Sequence, residues 1–570
     1  MPPTSPSTPP PSAVGEHVPY PVSGPVRAPA PRMPWPVWLI VSLLYLALVA
    51  ASWLTRDFGY YFDDKLHVEC VRVTFETGVP LPRYYHYPSF SYLISLLAAV
   101  PTWASHGFDG AAVANELGEA LQRRLQNPTP RLIHDARALF AAVAHLGLFW
   151  SALLAWRLSH SRLAAVLAPL ILGLSFEFHY HARIWSTDAM MAQWVLLSAL
   201  LGVSYLQQGR RRDFLWAAAV AGIAAGTKFP GAMALLSAGI AALALEWSAC
   251  VAGTPGARLM ALTSVTKQAL LGLLVLLVAF LISTPGAVLD SQRFLDDVRW
   301  ELRHYRAEGR GGPHEPYGVD SGFDHLSRQL VYLATQSLSY APVASLCLFA
   351  FALFGLIQAA RKSGRVALVG FSVPLLYVAY FSYQRLMAVR NFEVLLGFTA
   401  VAAGVGVHAL WHSGVPRLVR GTLLAAAGLS LAWNAQFLLM ADRSILSRRE
   451  LDQGALLRAF IEESRGPLYL AARARELAAI DSDAALDAKL AMTPAEARHV
   501  VLLMPDDLSR LVARPGFHPE IVRANWPRLY QPLERGPWEV NYSYYPTWAG
   551  DPRPVVITSE YYRELLGREP

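Results

Sequence analysis

Charged residues are scarce in this chain, and their scarcity excludes an ordinary soluble protein. Of its 570 residues, 16% are charged and 54% are hydrophobic, whereas soluble domains carry about 25% charged residues. Only 3 cysteines occur, and they lie far apart, which argues against a disulfide framework or a cysteine metal site. The sequence also contains neither a Walker-type glycine-rich loop nor GxGxxG after a strand. The composition therefore predicts an integral membrane protein without a nucleotide-binding loop.

Long apolar runs are what the chain has in abundance. The first extends from Trp35 to Trp53, about 19 residues without a charge, which is enough to cross a hydrocarbon core about 30 Å thick. Residues 1–34 are rich in Pro, Ser and Ala, which predicts a disordered tail. The tail has basic residues near the first helix, and these predict that it lies in the cytoplasm. The apolar runs cover residues 35–54, 88–104, 138–156, 163–180, 189–206, 214–228, 230–247, 268–284, 342–360, 366–382, 394–411 and 421–440.

The basic loops between these runs predict the topology. If every run crossed, Arg210–Arg212 and Arg361–Lys362 would face outward, although Lys and Arg favour the cytoplasmic side. We therefore expect the run at 88–104, which is short and contains Pro101, to lie in the interface or to re-enter. The prediction is an all-α polytopic protein of the inner (cytoplasmic) membrane with about eleven transmembrane helices and a cytoplasmic N-terminus. The net charge of +7 reflects these loops, so we expect no nucleic acid partner.

This topology places the long polar segments on the extracytoplasmic side of the membrane. Val500–Met504 and Val555–Thr558 have the composition of short buried strands, so the C-terminal region is predicted to be an α/β domain. The predicted organisation is a tail at 1–34, a transmembrane domain at 35–440 with outer loops at 55–135 and 285–340, and an extracytoplasmic domain at 441–570.

Polar side chains collect on the predicted outer face. Two adjacent carboxylates, Asp63 and Asp64, follow the first transmembrane run, and Lys228 and Arg390 lie at the outward ends of later runs. A carboxylate pair at a membrane surface is poorly explained by packing, but it suits a site that binds a cation, accepts a proton or orients a substrate. The other members of this set are Tyr60, Tyr61, His67, Tyr84, Tyr85, His86, Arg183 and Asp188.

Each of these residues also has a structural interpretation. Asp64 can pair with Lys65 or cap a short helix, and Asp188 can cap the helix that follows it. Lys228 and Arg390 can extend towards lipid headgroups. The histidines can be hydrogen-bonded structural residues, and the tyrosines can form an aromatic belt at the interface. The accumulation of acids, bases and aromatics on the side of the long loops favours a functional site.

The chemistry that fits this set is transfer from a lipid phosphate. Lys228 and Arg390 can hold a phosphate and stabilise it as a leaving group, while a carboxylate deprotonates an incoming hydroxyl. The flat faces of the tyrosines suit a sugar ring. The alternative is a transporter or flippase of lipid-linked saccharides, but a transporter would place ionisable residues at mid-membrane on broken helices rather than at one surface.

Over residues 35–440 the order of motifs resembles the GT-C superfamily of membrane glycosyltransferases, specifically the group of protein O-mannosyltransferases and aminoarabinose transferases. The motifs that carry the resemblance are Asp63-Asp64, His86-Tyr87-Pro88, Ala136-Arg137, Ala182-Arg183 with Asp188, Gly222 to Lys228, Ser283-Thr284-Pro285 and Arg390. In one respect the chain departs from the family, which usually has Asp-Glu where this sequence has Asp63-Asp64.

The resemblance implies a polyprenyl-phosphate sugar donor, a hydroxyl acceptor on a lipid, a glycan or a protein, and inversion at the anomeric carbon. It implies Asp63, Asp64 and Asp188 as catalytic residues, with Asp63 ranked first as the base because Asp64 replaces the usual glutamate. The residues expected to bind donor phosphate or substrate are Lys228, Arg390, Arg183, His86, Tyr84, Tyr85 and Arg137. The sequence requires no cofactor, although a divalent metal on Asp63, Asp64 and His67 is compatible with it.

Overall fold

The computed structural model describes four long segments of the chain and parts of the C-terminal region. The long segments are residues 32–56, 63–122, 130–307 and 319–448, and the C-terminal parts are 458, 461–462, 466–470, 475, 487–488, 490–504, 553–558, 560 and 562–563. Most of the predicted tail, at 1–31, therefore lies outside the described residues, as do Tyr60 and Tyr61. The described part is dominated by helices, which confirms the predicted all-α membrane architecture.

The helices follow the apolar runs, and polar residues in the short loops start several of them. The side chains of Ser161, Thr254 and Ser363 each accept a hydrogen bond from a backbone N–H in the first turn of the next helix. The helices are α1 Trp35–Leu54, α2 Asp64–Thr77, α3 Phe90–Ser105, α4 Gly110–Gln122, α5 Arg131–Ala144, α6 Gly147–Ser159, α7 Arg162–Leu174, α8 Phe176–Arg183, α9 Thr187–Gln208, α10 Arg211–Thr227, α11 Leu235–Ala252, α12 Pro255–Ser283, α13 Gly286–Leu289, α14 Ser291–Ala307, α15 Phe323–Thr335, α16 Pro342–Lys362, α17 Gly364–Ser382, α18 Glu393–Trp411 and α19 Arg417–Arg448, with short 3₁₀ helices at Phe229–Ala234 and Val389–Phe392.

Among the described residues, 9 helical segments are long and apolar enough to cross a membrane, or 10 if the pair α7 and α8, bent by 63°, is one span. The predicted number of about eleven is higher because it includes the run at 214–228. That run lies in α10, which has 17 residues and extends about 25 Å at 1.5 Å per residue. The run that we expected not to cross forms α3, a shorter apolar helix of 16 residues with Pro101 inside it.

The basic loops that were predicted to share one side come together at one end of the helices. Lys362 Nζ, at the end of α16, donates a hydrogen bond to the Ser159 carbonyl at the end of α6, at 3.1 Å. Gln207 Nε2, near the end of α9, donates to the Arg157 carbonyl at 3.0 Å. The ends of α6, α9 and α16 are therefore neighbours, as the predicted topology requires.

Two glycines allow α16 and α18 to approach each other closely. A Cβ atom added to Gly355 of α16 would overlap the Ala402 carbonyl oxygen of α18, and one added to Gly406 of α18 would overlap the Phe351 carbonyl oxygen of α16. Small residues that let two backbones approach are typical of membrane helix pairs, because apolar side chains gain little by leaving lipid for protein. This contact fixes α18, whose first residues carry part of the site described below.

The C-terminal region contains a small sheet, in which the two predicted strands are found. Its strands are β1 Leu468–Leu470, β2 His499–Met504 and β3 Arg553–Thr558, in the order β1-β2-β3. Strand β1 is parallel to β2, with Leu468 opposite His499, and β3 is antiparallel to β2, with Thr558 opposite His499. A mixed sheet of this kind agrees with the α/β composition expected there.

Candidate active site

The two adjacent aspartates at the start of α2 point to different partners. Asp63 occupies the N-cap position without capping the helix, and Asp64 is its first residue. Consecutive residues at a helix start do not face the same neighbour. Asp63 Oδ2 accepts a hydrogen bond from Arg390 Nη1 at 2.6 Å, whereas Asp64 Oδ2 accepts one from Arg137 Nη2, also at 2.6 Å. The pair predicted as one unit is thus divided between two ion pairs.

Arg390 joins Asp63 to a buried cluster of charges. Its Nε atom lies 4.0 Å from Asp188 Oδ2, and Asp188 Oδ1 accepts a hydrogen bond from Lys228 Nζ at 2.6 Å. Lys228 Nζ also donates to Asn391 Oδ1 at 2.9 Å. Two carboxylates and two cations therefore alternate in one network, which compensates their burial because each charge has an opposite charge beside it. We call Asp63, Arg390, Asp188 and Lys228 the charge cluster.

Helix ends hold all four side chains of the charge cluster. Asp188 is the second residue of α9, where the positive end of the helix dipole favours a carboxylate. Lys228 lies between α10 and the 3₁₀ helix at Phe229–Ala234, and Arg390 lies in the 3₁₀ helix that precedes α18. Lys228 at the end of α10 reaches Asp188 at the start of α9, so the two consecutive helices pack antiparallel to each other.

Two further side chains, Tyr87 and Asn391, contact the charge cluster, and Tyr305 contacts Asn391; the sequence analysis gave none of the three a role. Tyr87 accepts a hydrogen bond from Arg390 Nη2 at 3.3 Å and places its ring 5.9 Å from Lys228 Nζ. Tyr305 of α14 donates to Asn391 Oδ1 at 3.3 Å. Tyr87 was part of the quoted His-Tyr-Pro motif, and Asn391 follows Arg390 directly, so motif adjacency was a usable signal for both. Tyr305 lies in the loop at 285–340, which was predicted to be an outer loop and offers no such signal.

Asp63 has one carboxylate oxygen without a partner. Its side chain is 1% exposed, and Oδ1 has no hydrogen-bond partner among the described residues. Burial raises the pKa of Asp63 above its ordinary value, and this effect outweighs the opposing charge of Arg390. Arg390, by contrast, keeps 22% of its side chain exposed. The cluster therefore combines an accessible guanidinium with a proton acceptor of raised basicity, which is the combination that general base catalysis uses.

His67 packs beside the cluster as an aromatic ring. It stacks on Trp185 with ring centroids 5.0 Å apart and lies 6.4 Å from the Tyr87 ring. Burial, assisted by the charge of Arg390, lowers the pKa of His67 to about 3, so the imidazole is neutral at physiological pH. The described residues do not group His67 with Asp63 and Asp64 in a metal-binding geometry, because the one such group found among them consists of other residues.

Tyr84, Tyr85 and His86 attach the loop before α3 to α14. The Tyr85 backbone N–H donates to Asp297 Oδ2 at 2.7 Å, and the Tyr85 hydroxyl donates to Asp290 Oδ2 at 3.3 Å. His86 Nε2 lies 3.7 Å from Asp297 Oδ1, and the Tyr84 ring packs 4.4 Å from the His86 ring. These predicted substrate-binding residues form a wall between the loop and α14, next to Tyr87, rather than part of the charge cluster.

Arg183 and Arg137, both predicted to bind donor phosphate or substrate, lie in other buried ion pairs. Arg183 Nη2 is 2.9 Å from Asp442 Oδ1 near the end of α19, and its Nη1 donates to Thr55 Oγ1 at 3.2 Å. Arg137 Nη1 donates to the Arg56 carbonyl at 2.8 Å, in addition to its bond with Asp64. Both guanidiniums thus hold the end of α1 against neighbouring helices.

One group of described residues could hold a metal ion. It consists of Glu177 and His181 of α8 and Glu393, the first residue of α18, all of them buried. Each residue offers one ligand atom, and these atoms lie within 4.8 Å of one another. The predicted compatibility with a divalent metal therefore has a structural counterpart, but at different residues from the three proposed.

Comparison with known proteins supports a relationship to glycosyltransferases. The family model for dolichyl-phosphate-mannose-protein mannosyltransferases matches residues 126–294, a segment that contains Asp188 and Lys228. Similar solved structures include ArnT from Cupriavidus metallidurans bound to undecaprenyl phosphate, at 13% identity over 91% of this chain and 98% of that chain, with a TM-score of 0.46. Another is the archaeal oligosaccharyltransferase AglB from Archaeoglobus fulgidus, at 11% identity over 76% of this chain and 63% of that chain, with a TM-score of 0.42.

No curated protein sequence matches the chain. The family match covers α5 to α13 and the first four residues of α14, and it includes one carboxylate and one cation of the charge cluster. It confirms the resemblance predicted from the sequence, since this chain is similar to membrane glycosyltransferases of the protein O-mannosyltransferase family.

Proposed function

We propose that this protein is an integral membrane glycosyltransferase that moves a sugar from a polyprenyl phosphate to an acceptor hydroxyl on the extracytoplasmic side. The observation that carries the proposal is the charge cluster, in which buried Asp63 keeps one carboxylate oxygen unpartnered beside a partly exposed Arg390. The description of the matching family, whose donor is dolichyl-phosphate mannose, supports a lipid-linked donor.

The reaction begins with recognition of the donor phosphate. Arg390 is the side chain of the cluster with the greatest exposure, and a guanidinium presents planar N–H groups that match phosphate oxygens. Lys228 carries three N–H donors, and its hydrogen bonds to Asp188 and Asn391 use two of them. The third is available for the phosphate, so two cations neutralise the leaving group as the sugar departs.

Asp63 supplies the base in this mechanism. Its Oδ1 accepts the proton of the acceptor hydroxyl while the hydroxyl oxygen forms a bond to the anomeric carbon. The bond between that carbon and the phosphate oxygen breaks in the same displacement, polyprenyl phosphate leaves, and the configuration inverts. Asp188 holds Lys228 in place through their 2.6 Å contact and does not need to touch the reacting atoms. General base catalysis of this kind contributes about 10²–10⁴-fold.

The position of the cluster favours an enzyme over a transporter of lipid-linked saccharides. Transporters bind substrate near the bilayer midplane on interrupted helices. Here Asp188, Lys228 and Arg390 lie where helices begin or end. The basic loops after α6, α9 and α16 gather at the other end of those helices, which supports an extracytoplasmic site because such loops stay in the cytoplasm.

The activity is tested by transfer assays on the purified full chain in detergent. A panel of polyprenyl-phosphate sugars is offered with lipid, glycan and peptide acceptors, and Asp63→Asn serves as the matched inactive variant. We expect one donor to give product with inverted configuration in the wild type only. Absence of product with every donor, together with binding of an intact lipid-linked saccharide, would favour the transporter.

The side of the membrane is tested separately by cysteine labelling in intact cells. In a background without the native cysteines, Thr77→Cys at the end of α2 should react with an impermeant reagent, and Arg211→Cys at the start of α10 should not. Both positions are exposed on the protein surface. The reverse pattern would overturn the proposed orientation without affecting the assignment of the activity.

A further inference from the structure

A second polar site lies beside the charge cluster and takes no part in the mechanism proposed above. It contains Glu177 and His181, four residues apart on α8, and Glu393 at the start of α18. All three side chains are buried, at 0%, 3% and 1% exposure. Buried carboxylates demand compensation, because an isolated charge inside a protein costs several kcal/mol. Neither the transfer step nor the packing of α8 on α18 requires two glutamates here.

Glu393 provides the observation that points to a ligand. Neither of its carboxylate oxygens has a hydrogen-bond partner among the described residues. Its Oε1 is nevertheless directed at His181, 3.6 Å from Nε2. Glu177 Oε2 lies 3.5 Å from the same nitrogen. A buried carboxylate is therefore directed into a group of potential ligands without forming a hydrogen bond to any of them.

The separations of His181 Nε2 from Glu177 Oε2 and from Glu393 Oε1 match those of ligands that share one ion. Hydrogen bonds between nitrogen and oxygen are about 2.7–3.2 Å long, so 3.5 and 3.6 Å are too long for a direct bond. Two ligands bound tetrahedrally to zinc at about 2.0–2.2 Å from the metal are about 3.3–3.6 Å apart. The distances from His181 Nε2 to the two glutamate oxygens, 3.5 and 3.6 Å, fall in this range.

The geometry and the ligand chemistry point to a site for a divalent metal ion, and we propose that Glu177, His181 and Glu393 bind zinc. Imidazole and carboxylate are both zinc ligands, and three protein ligands leave a fourth position for water. Magnesium and calcium prefer oxygen ligands in larger coordination shells, so the histidine argues against them. The two positive charges of zinc also balance the two carboxylates, which removes the cost of burying them together.

This metal site would connect two elements that carry the charge cluster. Glu393 is three residues after Arg390 and follows the 3₁₀ helix at Val389–Phe392, while α8 leads into the turn before Asp188. Zinc would therefore hold the segments that bear Arg390 and Asp188 at a fixed distance from each other. Glu177, His181 and Glu393 would be positioning residues and not catalytic ones.

The zinc content of the purified protein tests the proposed metal site without any measurement of enzyme activity. The full chain is purified in detergent, freed of loosely bound ions by gel filtration and analysed by mass spectrometry for metals. We expect about one zinc per wild-type chain and little in Glu393→Gln and His181→Gln. His325→Gln is the matched control, since His325 is another buried histidine whose Nδ1 contacts the Gln384 carbonyl, and it should retain zinc.

Thermal unfolding gives a second measurement that does not depend on the variants. Removing zinc from the wild type with a chelator should lower its unfolding temperature, and zinc chloride, but not magnesium chloride, should restore it. Equal metal content in the wild type and all three variants would mean an adventitious ion only. A wild type that contains no zinc, and whose unfolding temperature does not change with zinc or manganese, would leave a metal-free carboxylate cluster and overturn the proposal.

Discussion

Replacing each of the two adjacent aspartates by asparagine should separate catalysis from stability. Asp64 and Arg137 are both 0% exposed and 2.6 Å apart. Removing one partner of such a buried pair leaves the other charge uncompensated and costs about 3–5 kcal/mol. Asp63→Asn is milder, because the amide oxygen can still accept from Arg390, whose side chain is 22% exposed, and the weaker hydrogen bond costs about 1 kcal/mol. The same change removes the proposed base and should lower kcat/KM by about 10²–10⁴-fold.

The experiment measures both quantities on the same preparations. Transfer from the polyprenyl-phosphate sugar gives kcat/KM, and unfolding in detergent gives the midpoint temperature. Asp63→Asn should unfold near the wild-type temperature with its activity almost lost, whereas Asp64→Asn should unfold at a clearly lower temperature. Combining Asp64→Asn with Arg137→Gln should recover part of the stability, since the double variant leaves no charge unpaired.

Two results would refute this reasoning. Wild-type activity in a well-folded Asp63→Asn protein would remove Asp63 from the mechanism. An Asp64→Asn protein as stable as the wild type but inactive would show that Asp64, rather than its neighbour, acts on the substrate, and the two assignments would have to be exchanged.

Three further predictions concern the pH dependence, the cluster and the packing. The pKa of Asp63 is raised, and only the ionised carboxylate accepts a proton. As the pH is lowered, kcat/KM should therefore fall at a pH above the ordinary aspartate pKa of about 3.9. A pH profile of kcat/KM that stays flat down to about pH 4 would contradict this. Lys228→Gln removes the cation nearest to buried Asp188 and should lower the free energy of unfolding by about 3 kcal/mol, with partial recovery when Asp188→Asn is added. Gly355→Ala should destabilise the protein by about 1–3 kcal/mol, because its Cβ would overlap a backbone carbonyl of α18. Gly428→Ala, with nothing within 4 Å of the added atom, is the control and should be neutral in the same unfolding assay.

The helices were predictable because their signal is local. An uninterrupted apolar run and the charges that bound it are read from adjacent residues, and the predicted run at 35–54 coincides with α1. The run at 163–180 was predicted as one span, yet the chain bends by 63° between α7 and α8. Ser175 at that bend caps α8 and donates to the Ser337 carbonyl, a contact 162 residues away that no local pattern reveals.

The membership of the charge cluster was predictable in part. Asp63, Asp188, Lys228 and Arg390 were each expected on one face, and the structure brings all four together. The sequence did not predict which carboxylate pairs with which cation. Opposite charges attract whatever their separation along the chain, so the choice between Asp63 and Asp64 as the partner of Arg390 depended on the direction in which α2 starts.

The proposed metal site at Glu177, His181 and Glu393 was not predicted, although the sequence contains a local signal for two of its residues. Glu177 and His181 are four residues apart, which places them on one face of a helix. Glu393, the third member, is more than 200 residues further along the sequence, and a pair of ligands without its third member is too common to indicate a site. Only the packing of α18 against α8 brings Glu393 to the other two residues.

The ion pair between Arg183 and Asp442 determines where this chain can be divided. Asp442 lies in α19 and belongs to the region predicted as the C-terminal domain at 441–570, but its carboxylate is 2.9 Å from a guanidinium at the end of α8. Cutting the gene at the predicted boundary would remove that carboxylate and leave Arg183 without it inside the bundle. A membrane fragment prepared for structural or enzymatic work should therefore retain the whole of α19, so that Asp442 keeps its contact with Arg183, which also binds Thr55.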